Sequence, residues 1–230
     1  MNTGSISFVL PMYNESRTIE NTVRELGLIA REICDDYEIV IANDGSADNS
    51  GNIIDDIAGK DSRVKVVHLG KNTKFGGALK TGLMLAQKEV LIYIDSDLPV
   101  SSQDIKNALK LLDGADIVTA YSKVKKGENP KRIIMSKVYN FLIQFLFRTN
   151  IKDINSGFKI YKKKVFKDTM LISSSPFIDV EIFVRALRKG FKIRQYPLIF
   201  KHRESGVSYI SRPAVVLRTM WDILKFRFSR

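Results

Sequence analysis

Cysteine is all but missing from this 230-residue chain: Cys34 stands alone, so one copy can build neither a disulfide framework nor a cysteine zinc site, and a reducing, cytoplasmic setting fits. Histidine is nearly as scarce. His68 and His202 lie 134 positions apart without a companion, which points away from a zinc centre and leaves His68 as a structural strand residue. No run of about 18 apolar residues occurs, so no helix is expected to span a bilayer. The opening Met1-Asn2-Thr3-Gly4-Ser5 carries no basic stretch ahead of a long apolar one, so no secretory leader is expected. No serine sits in a Gly-x-Ser-x-Gly elbow, which removes support for nucleophilic hydrolysis. No Gly-x-Gly-x-x-Gly follows the first strand, and Gly70-Lys71-Asn72-Thr73-Lys74-Phe75-Gly76-Gly77 lacks the Lys-Ser/Thr ending of a Walker loop, so a redox Rossmann enzyme loses ground. No nucleic-acid-binding signature is present either, and nucleic acid is not an expected partner.

What is present is apolar enough for one sizeable α/β core, at 44% hydrophobic residues, and strongly basic, at a net charge of +12. That charge is divided unevenly. Residues 1–120 hold 12 Lys and Arg against 18 Asp and Glu, and residues 121–230 hold 25 against 7. The second half therefore faces something anionic, such as a membrane surface or a phosphorylated substrate.

The stretch Glu89-Val90-Leu91-Ile92-Tyr93-Ile94-Asp95-Ser96-Asp97 organises the rest. Five apolar or aromatic residues running into two carboxylates predict a buried parallel strand that ends in charge, and ligands of open α/β sheets gather at such ends. Two carboxylates at i and i+2 that a turn aims at one point repel each other, and a divalent cation relieves the repulsion. The competing reading is that Asp95 or Asp97 caps the helix that follows. A phosphatase built on Asp-x-Asp is disfavoured, because such enzymes carry the pair at the first strand and follow it with Thr, whereas Leu98-Pro99 follow here.

Upstream, Ile6-Ser7-Phe8-Val9-Leu10 predicts a strand stopped by Pro11, leading into a helix from Arg17 to about Ile33. Tyr37 to Ala42 predicts a second strand, ended by Asn43-Asp44-Gly45-Ser46, with Asp48 or Ser50 capping the next helix. Val64 to Leu69 and Ala115 to Ala120 add two more strands. Strands alternating with helices give a doubly wound, mostly parallel sheet with right-handed crossovers, which sets Asp44 and Asp95 near one another on one rim. After Tyr121 a loop rich in Lys123, Lys125, Lys126, Lys131 and Arg132 is expected. Val138 to Phe147 is apolar on nearly every side and reads either as a core helix or as a membrane-interface helix. Ile182 to Gly190 reads as an amphipathic helix, and Ala214 to Arg230, basic and aromatic together, as a surface anchor.

Five motifs in sequence carry a resemblance: Val-Leu-Pro-x-Tyr-Asn-Glu at 9–15, Asn-Asp-Gly-Ser at 43–46, Asp-Ser-Asp at 95–97, Asp-x-x-Ser-Gly-Phe-Lys at 153–159 and Arg-x-x-Gly-x-Ser at 203–208. Together they resemble glycosyltransferase family 2, of the GT-A fold, and within it the dolichyl- or polyprenyl-phosphate sugar synthases. The resemblance implies one catalytic domain over 1–230. It has a Rossmann-like nucleotide-sugar half over about 1–120, an acceptor half over about 121–213 and a basic amphipathic segment over 214–230. It also implies that Pro11, Tyr13, Glu15 and Asp44 line base and ribose, and that Asp95 and Asp97, with Ser96 between them, hold Mg²⁺ or Mn²⁺ on the donor diphosphate. Arg132, Ser136, Arg203 and, near a position usually held by Arg, Lys123 would grip the acceptor phosphate. Pro99 stands where many members carry a Gln, and Tyr209 where they carry a Lys.

The activity so implied is inverting transfer of a hexose from a nucleotide-sugar, GDP-mannose or UDP-glucose, to a polyprenyl phosphate. The chain would act peripherally, on an anionic membrane surface at the cytoplasmic face. Asp153 is the carboxylate expected nearest the acceptor, with Asp179 and Glu181 as competitors, although Asp153 beside Asn155-Ser156-Gly157 also reads as a turn residue. The alternatives are a family 2 transferase acting on a sugar hydroxyl of a surface polysaccharide, and a membrane-docked nucleotide-sugar binding protein without turnover.

Overall fold

The computed structural model describes residues 4–98, 100–123, 130–199 and 213–228. Strands β1 (Ile6–Met12), β2 (Tyr37–Asn43), β3 (Val64–His68) and β4 (Val90–Ile94) alternate with helices α1 (Ile19–Ile33), α2 (Ser50–Lys60) and α3 (Phe75–Leu85). All four strands run parallel, with β1 between β2 and β4. β1 and β2 are buried along nearly their whole length, as strands covered on both faces must be, which is why their sequences read as apolar runs. Alternation along β4 divides the core. Ile92 and Ile94 face a cluster with Phe8, Leu10, Ile39 and Leu26, while Leu91 and Tyr93 face one with Val9, Val40, Leu79 and Phe183.

α4 (Ser102–Lys110) is followed by β5 (Ile117–Ser122), α5 (Pro130–Phe147), β6 (Phe158–Lys162), α6 (Ile178–Arg188), β7 (Ile193–Leu198) and α7 (Pro213–Phe228). One seven-stranded sheet results, in the order β3-β2-β1-β4-β6-β5-β7. β6 runs antiparallel to both of its neighbours, and β7 runs parallel to β5. Neither β6 nor β7 is among the strands anticipated from periodicity. Phe158-Lys159-Ile160-Tyr161-Lys162 places a lysine at the middle of the strand, and that lysine is fully buried.

Local differences have local causes. β1 continues through Pro11 to Met12, because its pairing with β4 ends at Val9↔Tyr93 and Pro11 has only β2 as a neighbour, so its missing N–H breaks no ladder on the β4 side. α6 begins at Ile178 rather than Ile182, which takes Asp179 and Glu181 into its first turn. α7 is not merely a surface anchor. Ile223 and Phe226 are buried, and the Phe226 ring packs at 5.9 Å from that of Phe147 and 5.4 Å from that of Phe177, while Trp221 and Leu224 stay exposed. No helix among the described residues is long and apolar enough to cross a membrane.

Candidate functional site

Three adjacent parallel strands, β2, β1 and β4, end on one rim, which is where loops free of the ladder can meet a ligand. The loops after β1 and β2 are laced together. Asn14, in the left-handed region at φ 56°, donates its N–H to Ser46 Oγ at 2.9 Å, and its side-chain oxygen accepts from Ala47 N at 2.8 Å. Glu15 N donates to Ser50 Oγ at 2.8 Å and Ser16 N to Asp48 Oδ2 at 3.1 Å. Burial pushes the Asp48 carboxyl up, but hydrogen bonds from Ser50 and Ser16 outweigh it and hold the group at about 2. Pro11 is partly buried and Tyr13 half exposed, and the Glu15 carboxylate accepts from Thr18 Oγ1 at 3.1 Å.

Asp44 sits at the end of β2 with its N–H on Met12 O, and its Oδ1 accepts both Thr73 N at 2.6 Å and Thr73 Oγ1 at 2.8 Å. Burial raises its pKa, against those hydrogen bonds. Gly45 follows at φ +66°, and a Cβ there would sit 3.0 Å from Asn72 N, so the close pass of the 71–72 backbone requires glycine. With β1 between their strands, Asp44 and Asp95 stand roughly two strand spacings apart, about 10 Å.

Beyond β4, Asp95 N donates to Gly157 O at 3.0 Å and the Asp95 carboxylate accepts the Tyr93 hydroxyl. Leu98, at φ 44°, returns its N–H to Asp95 O at 3.0 Å, closing a tight turn over Ser96 and Asp97. The buried Ser96 ties this turn to α1 by accepting Thr22 Oγ1 at 2.7 Å. The helix-cap reading of Asp95 and Asp97 is overturned: Ser101 caps α4, its hydroxyl accepting Asp104 N at 3.2 Å. Two carboxylates on a tight turn are hard oxygen donors suited to Mg²⁺ or Mn²⁺, ions that are bound through one or two carboxylates plus substrate phosphate. Among the described residues no three Asp, Glu, His or Cys side chains converge as a complete cage, which agrees with that shared mode. Gly157 supplies the cradle, since a Cβ on it would lie 2.8 Å from Asp95 Cγ.

Beneath the turn lies a feature that sequence reasoning missed. Lys159 pairs with Tyr93 in the β4–β6 register and is fully buried; its Nζ is 3.2 Å from Asp179 Oδ2, donates to Ser156 O at 2.5 Å and lies 4.9 Å from the Tyr93 ring centroid. Burial pushes Asp179 up to about 6 against the pull of Lys159, and the charges of Asp95 and Asp153 push it the same way. The only sequence signal for Lys159 was its place in the Ser-Gly-Phe-Lys motif.

Asp179 and Glu181 are therefore not free competitors of Asp153. Asp179 is paired with Lys159, and Glu181 accepts Ile172 N at 3.0 Å, Ser173 N at 2.8 Å and Arg185 Nε at 2.9 Å, which commits it to holding the 172–173 backbone. Asp153 lies partly buried in the turn before β6. Asn140 of α5 links that turn to Ser136, accepting Ile154 N at 3.1 Å and donating to Ser136 Oγ at 3.3 Å. Lys123 is exposed at the end of β5, with its N–H on Leu198 O at 2.9 Å. The side chain of Arg132 and the whole of Pro99, Arg203 and Tyr209 lie outside the described residues.

α5 settles between its two readings by doing both. Ile143 is buried and Leu146 and Phe147 pack on the core, whereas Ile134, Val138, Phe141 and Phe145, at spacings of four, three and four, form an exposed stripe with Phe141 at 70% and Phe145 at 74%.

With this geometry in place, comparisons with known proteins agree on one kinship. The model of the family described as Glycosyl transferase family 2 matches residues 7–170. The chain is 28% identical over 232 residues to Glycosyltransferase AglD of Haloferax volcanii, covering 95% of this chain but 37% of AglD, so it spans little more than a third of that relative. It is 28% identical over 231 residues to the polyprenol monophosphomannose synthase of Mycolicibacterium smegmatis, covering 94% of this chain and 86% of that one. Among solved structures, the mannosyltransferase PcManGT of Pyrobaculum calidifontis, in complex with GDP-Man and Mn²⁺, superposes with a TM-score of 0.71 at 16% identity, covering 99% of this chain and 65% of that one. The glucosyl-3-phosphoglycerate synthase of Mycobacterium tuberculosis, in complex with Mn²⁺, UDP and glucosyl-3-phosphoglycerate, gives 0.71 at 18% identity, covering 97% and 80%. At these identities the likeness is one of fold, GT-A.

Proposed function

The chain belongs to glycosyl transferase family 2, and from that premise we propose that it moves a hexose from a nucleotide-sugar to a polyprenyl phosphate at a membrane surface. The observation that carries the reading is the single rim on which β1, β2 and β4 end, bearing Tyr13, Glu15, Asp44 and the Asp95–Asp97 turn, in a molecule whose other half is basic and keeps an apolar stripe on α5. The relatives' names point the same way, toward polyprenol monophosphomannose synthase and undecaprenyl-phosphate mannosyltransferase. GDP-mannose and UDP-glucose are the donors to try, with Mg²⁺ or Mn²⁺ at Asp95 and Asp97. When bound, such an ion offsets the charge that grows on the departing diphosphate.

In the proposed division of labour, residues 1–120 hold the donor and 121–213 the acceptor. Pro11, Tyr13, Glu15 and Asp44 hold base and ribose, and Arg132, Arg203, Ser136 and Lys123 hold the acceptor phosphate. One phosphate oxygen of the acceptor forms the new bond to the anomeric carbon while the bond to the nucleoside diphosphate breaks on the opposite face, which inverts the centre. The phosphate is already anionic near neutral pH. No strong base is needed, so alignment carries much of the rate, with Asp153 steering the acceptor oxygen. The stripe on α5, and Trp221 and Leu224 on α7, with Lys137, Arg148, Lys225 and Arg227 exposed on or beside the same helices, would rest on an anionic bilayer at its cytoplasmic face.

Purified protein with Mn²⁺, a short-chain polyprenyl phosphate and radiolabelled GDP-mannose or UDP-glucose tests the reading through label that moves into organic solvent. Transfer from one of the two donors is expected. Arg203→Ala should then raise the KM for the lipid phosphate and lower kcat, with nucleoside diphosphate affinity nearly unchanged. Label that stays in water and appears on a sugar hydroxyl, with Asp153→Asn abolishing it and Arg203→Ala silent, would overturn the lipid acceptor in favour of a polysaccharide one. Donor binding without any turnover would leave a binding protein.

A further inference from the structure

Lys159 has no part in donor or acceptor binding as proposed above, and its burial is costly to maintain. A buried ion pair adds little stability over apolar residues of the same size, so its presence calls for another explanation. Its surroundings supply one. Across the sheet, Thr119, Lys159 and Tyr93 form a single row, set by the pairings Thr119↔Lys159 and Tyr93↔Lys159. From the Lys159 end of that row two paths lead to the same carboxylate. One runs through the Tyr93 ring, which lies against the Lys159 ammonium and whose hydroxyl donates to Asp95 Oδ1. The other runs through the loop before β6: Lys159 Nζ holds Ser156 O at 2.5 Å, and the next residue, Gly157, accepts Asp95 N at 3.0 Å and lies so close that any side chain on it would displace the Asp95 carboxylate. Asp179, from the first turn of α6, holds the ammonium at 3.2 Å and is itself 2% exposed, so the whole arrangement is closed to water.

We propose that Lys159, Asp179 and Tyr93 act as positioning residues, a clamp inside the sheet that fixes the Asp95 carboxylate and with it the divalent-cation site. The inference rests on the metal reading of Asp95 and Asp97 and deepens it. The groups around the ammonium are Asp179, Ser156 O and the faces of Tyr93 and Phe183, none of which meets a ligand directly. The clamp therefore acts through Asp95 alone. Outer partners of this kind are worth about 10- to 100-fold in metal affinity.

The test is Mn²⁺ binding by the full chain in the absence of donor, followed through the electron paramagnetic resonance signal of free Mn²⁺, beside melting in EDTA. The double variant Lys159→Met with Asp179→Leu removes both charges and keeps the volume. It is expected to melt no lower than wild type in EDTA yet to bind Mn²⁺ about tenfold more weakly, with most of kcat restored at saturating Mn²⁺. Tyr93→Phe deletes one oxygen and leaves the ring, and Gly157→Ala pushes on the carboxylate directly; both are expected to weaken Mn²⁺ binding in proportion, and they decide the matter if the double variant does not fold. Mn²⁺ affinity within about twofold of wild type in Tyr93→Phe and Gly157→Ala would overturn the clamp while leaving the metal site standing. A wild-type chain that binds no Mn²⁺ with or without nucleoside diphosphate would overturn the metal reading, and the clamp with it.

Discussion

The two halves of the sheet treat charge in opposite ways. Along the β2, β1 and β4 rim, carboxylates stand at loop ends and are held by backbone and hydroxyl donors: Asp48 by Ser16 and Ser50, Asp44 by Thr73. In the half built from β6, β5, α5 and α6, a lysine and an aspartate are sealed inside, and phenylalanines stand outside. α5 and α6 make the contrast plain. α6 buries Ile178, Val180, Ile182 and Phe183 together with Asp179 and Glu181, whereas α5 leaves Ile134, Val138, Phe141 and Phe145 in solvent. The first half is organised for a polar ligand that arrives from water. The second keeps an apolar patch of a kind that soluble surfaces rarely leave contiguous unless something covers it.

The largest effect that would separate the halves is loss of a rim carboxylate. Asp97→Asn is expected to lower transfer at saturating donor by about a hundredfold or more, because half of the cation's protein ligands lose their charge, while the melting temperature stays near wild type since the side chain belongs to the rim and not to the core. Steady-state kinetics beside calorimetry reads both. Full activity of that variant in EDTA would dissolve the distinction between a metal-bearing rim and the rest of the fold.

A smaller effect is expected from the other half. Phe141→Glu with Phe145→Glu should weaken co-sedimentation with anionic vesicles by about tenfold or more, since seating each ring in an apolar phase is worth roughly 1.5–3 kcal/mol, and should leave the melting temperature alone. Ile143→Glu, on the same helix but 1% exposed, should instead unfold the protein. Binding of wild type should also fall as salt rises, because screening shortens the reach of each Lys and Arg. Vesicle binding that is indifferent to the two Phe substitutions would remove the contrast between the helices.

How far each half could be read in advance follows from the same contrast. The β1 to β4 units announce themselves, since strands covered on both faces must be apolar runs and their loops must carry the polar residues, so Asp44 and the Asp95–Asp97 turn could be put on one rim from spacing alone. β6 gave no such signal. A buried strand with lysine at its centre looks like a solvent-facing segment until the partner is known, and that partner, Asp179, is 20 positions further along on a helix whose start periodicity placed four residues late. Pro11 misled for a related reason, because whether a proline ends a strand depends on which neighbours persist beside it. The cap of α4 was likewise ambiguous between Asp97 and Ser101 until the hydroxyl was seen on Asp104 N. Patterns confined to one element were legible, and those that needed a pair of elements were not.

The smallest expected effect is on stability against pH, and here the halves should differ in sign. Asp179 has a folded pKa raised by burial to about 6, above the roughly 3.9 of an unfolded aspartate. Its contribution is therefore fully present below about pH 4 and is lost as pH rises through 6, because across that window the unfolded chain releases a proton that the folded one keeps. Asp48 is the opposite case. Burial alone would raise it, but the donors from Ser50 and Ser16 hold it at about 2, so its contribution is present above the unfolded value and is lost as pH falls toward 2. Melting curves taken from pH 3 to 8 should show the difference between wild type and Asp179→Asn shifting against wild type between about pH 4 and 6 and then levelling, by a few degrees at most for a chain of this length. The difference between wild type and Asp48→Asn should instead shrink as pH drops below about 4, and by less, because that carboxylate is exposed to solvent. Parallel curves for wild type and Asp179→Asn throughout would mean that the buried carboxylate keeps its charge at every pH, and that Lys159 outweighs burial where the balance struck here has burial winning.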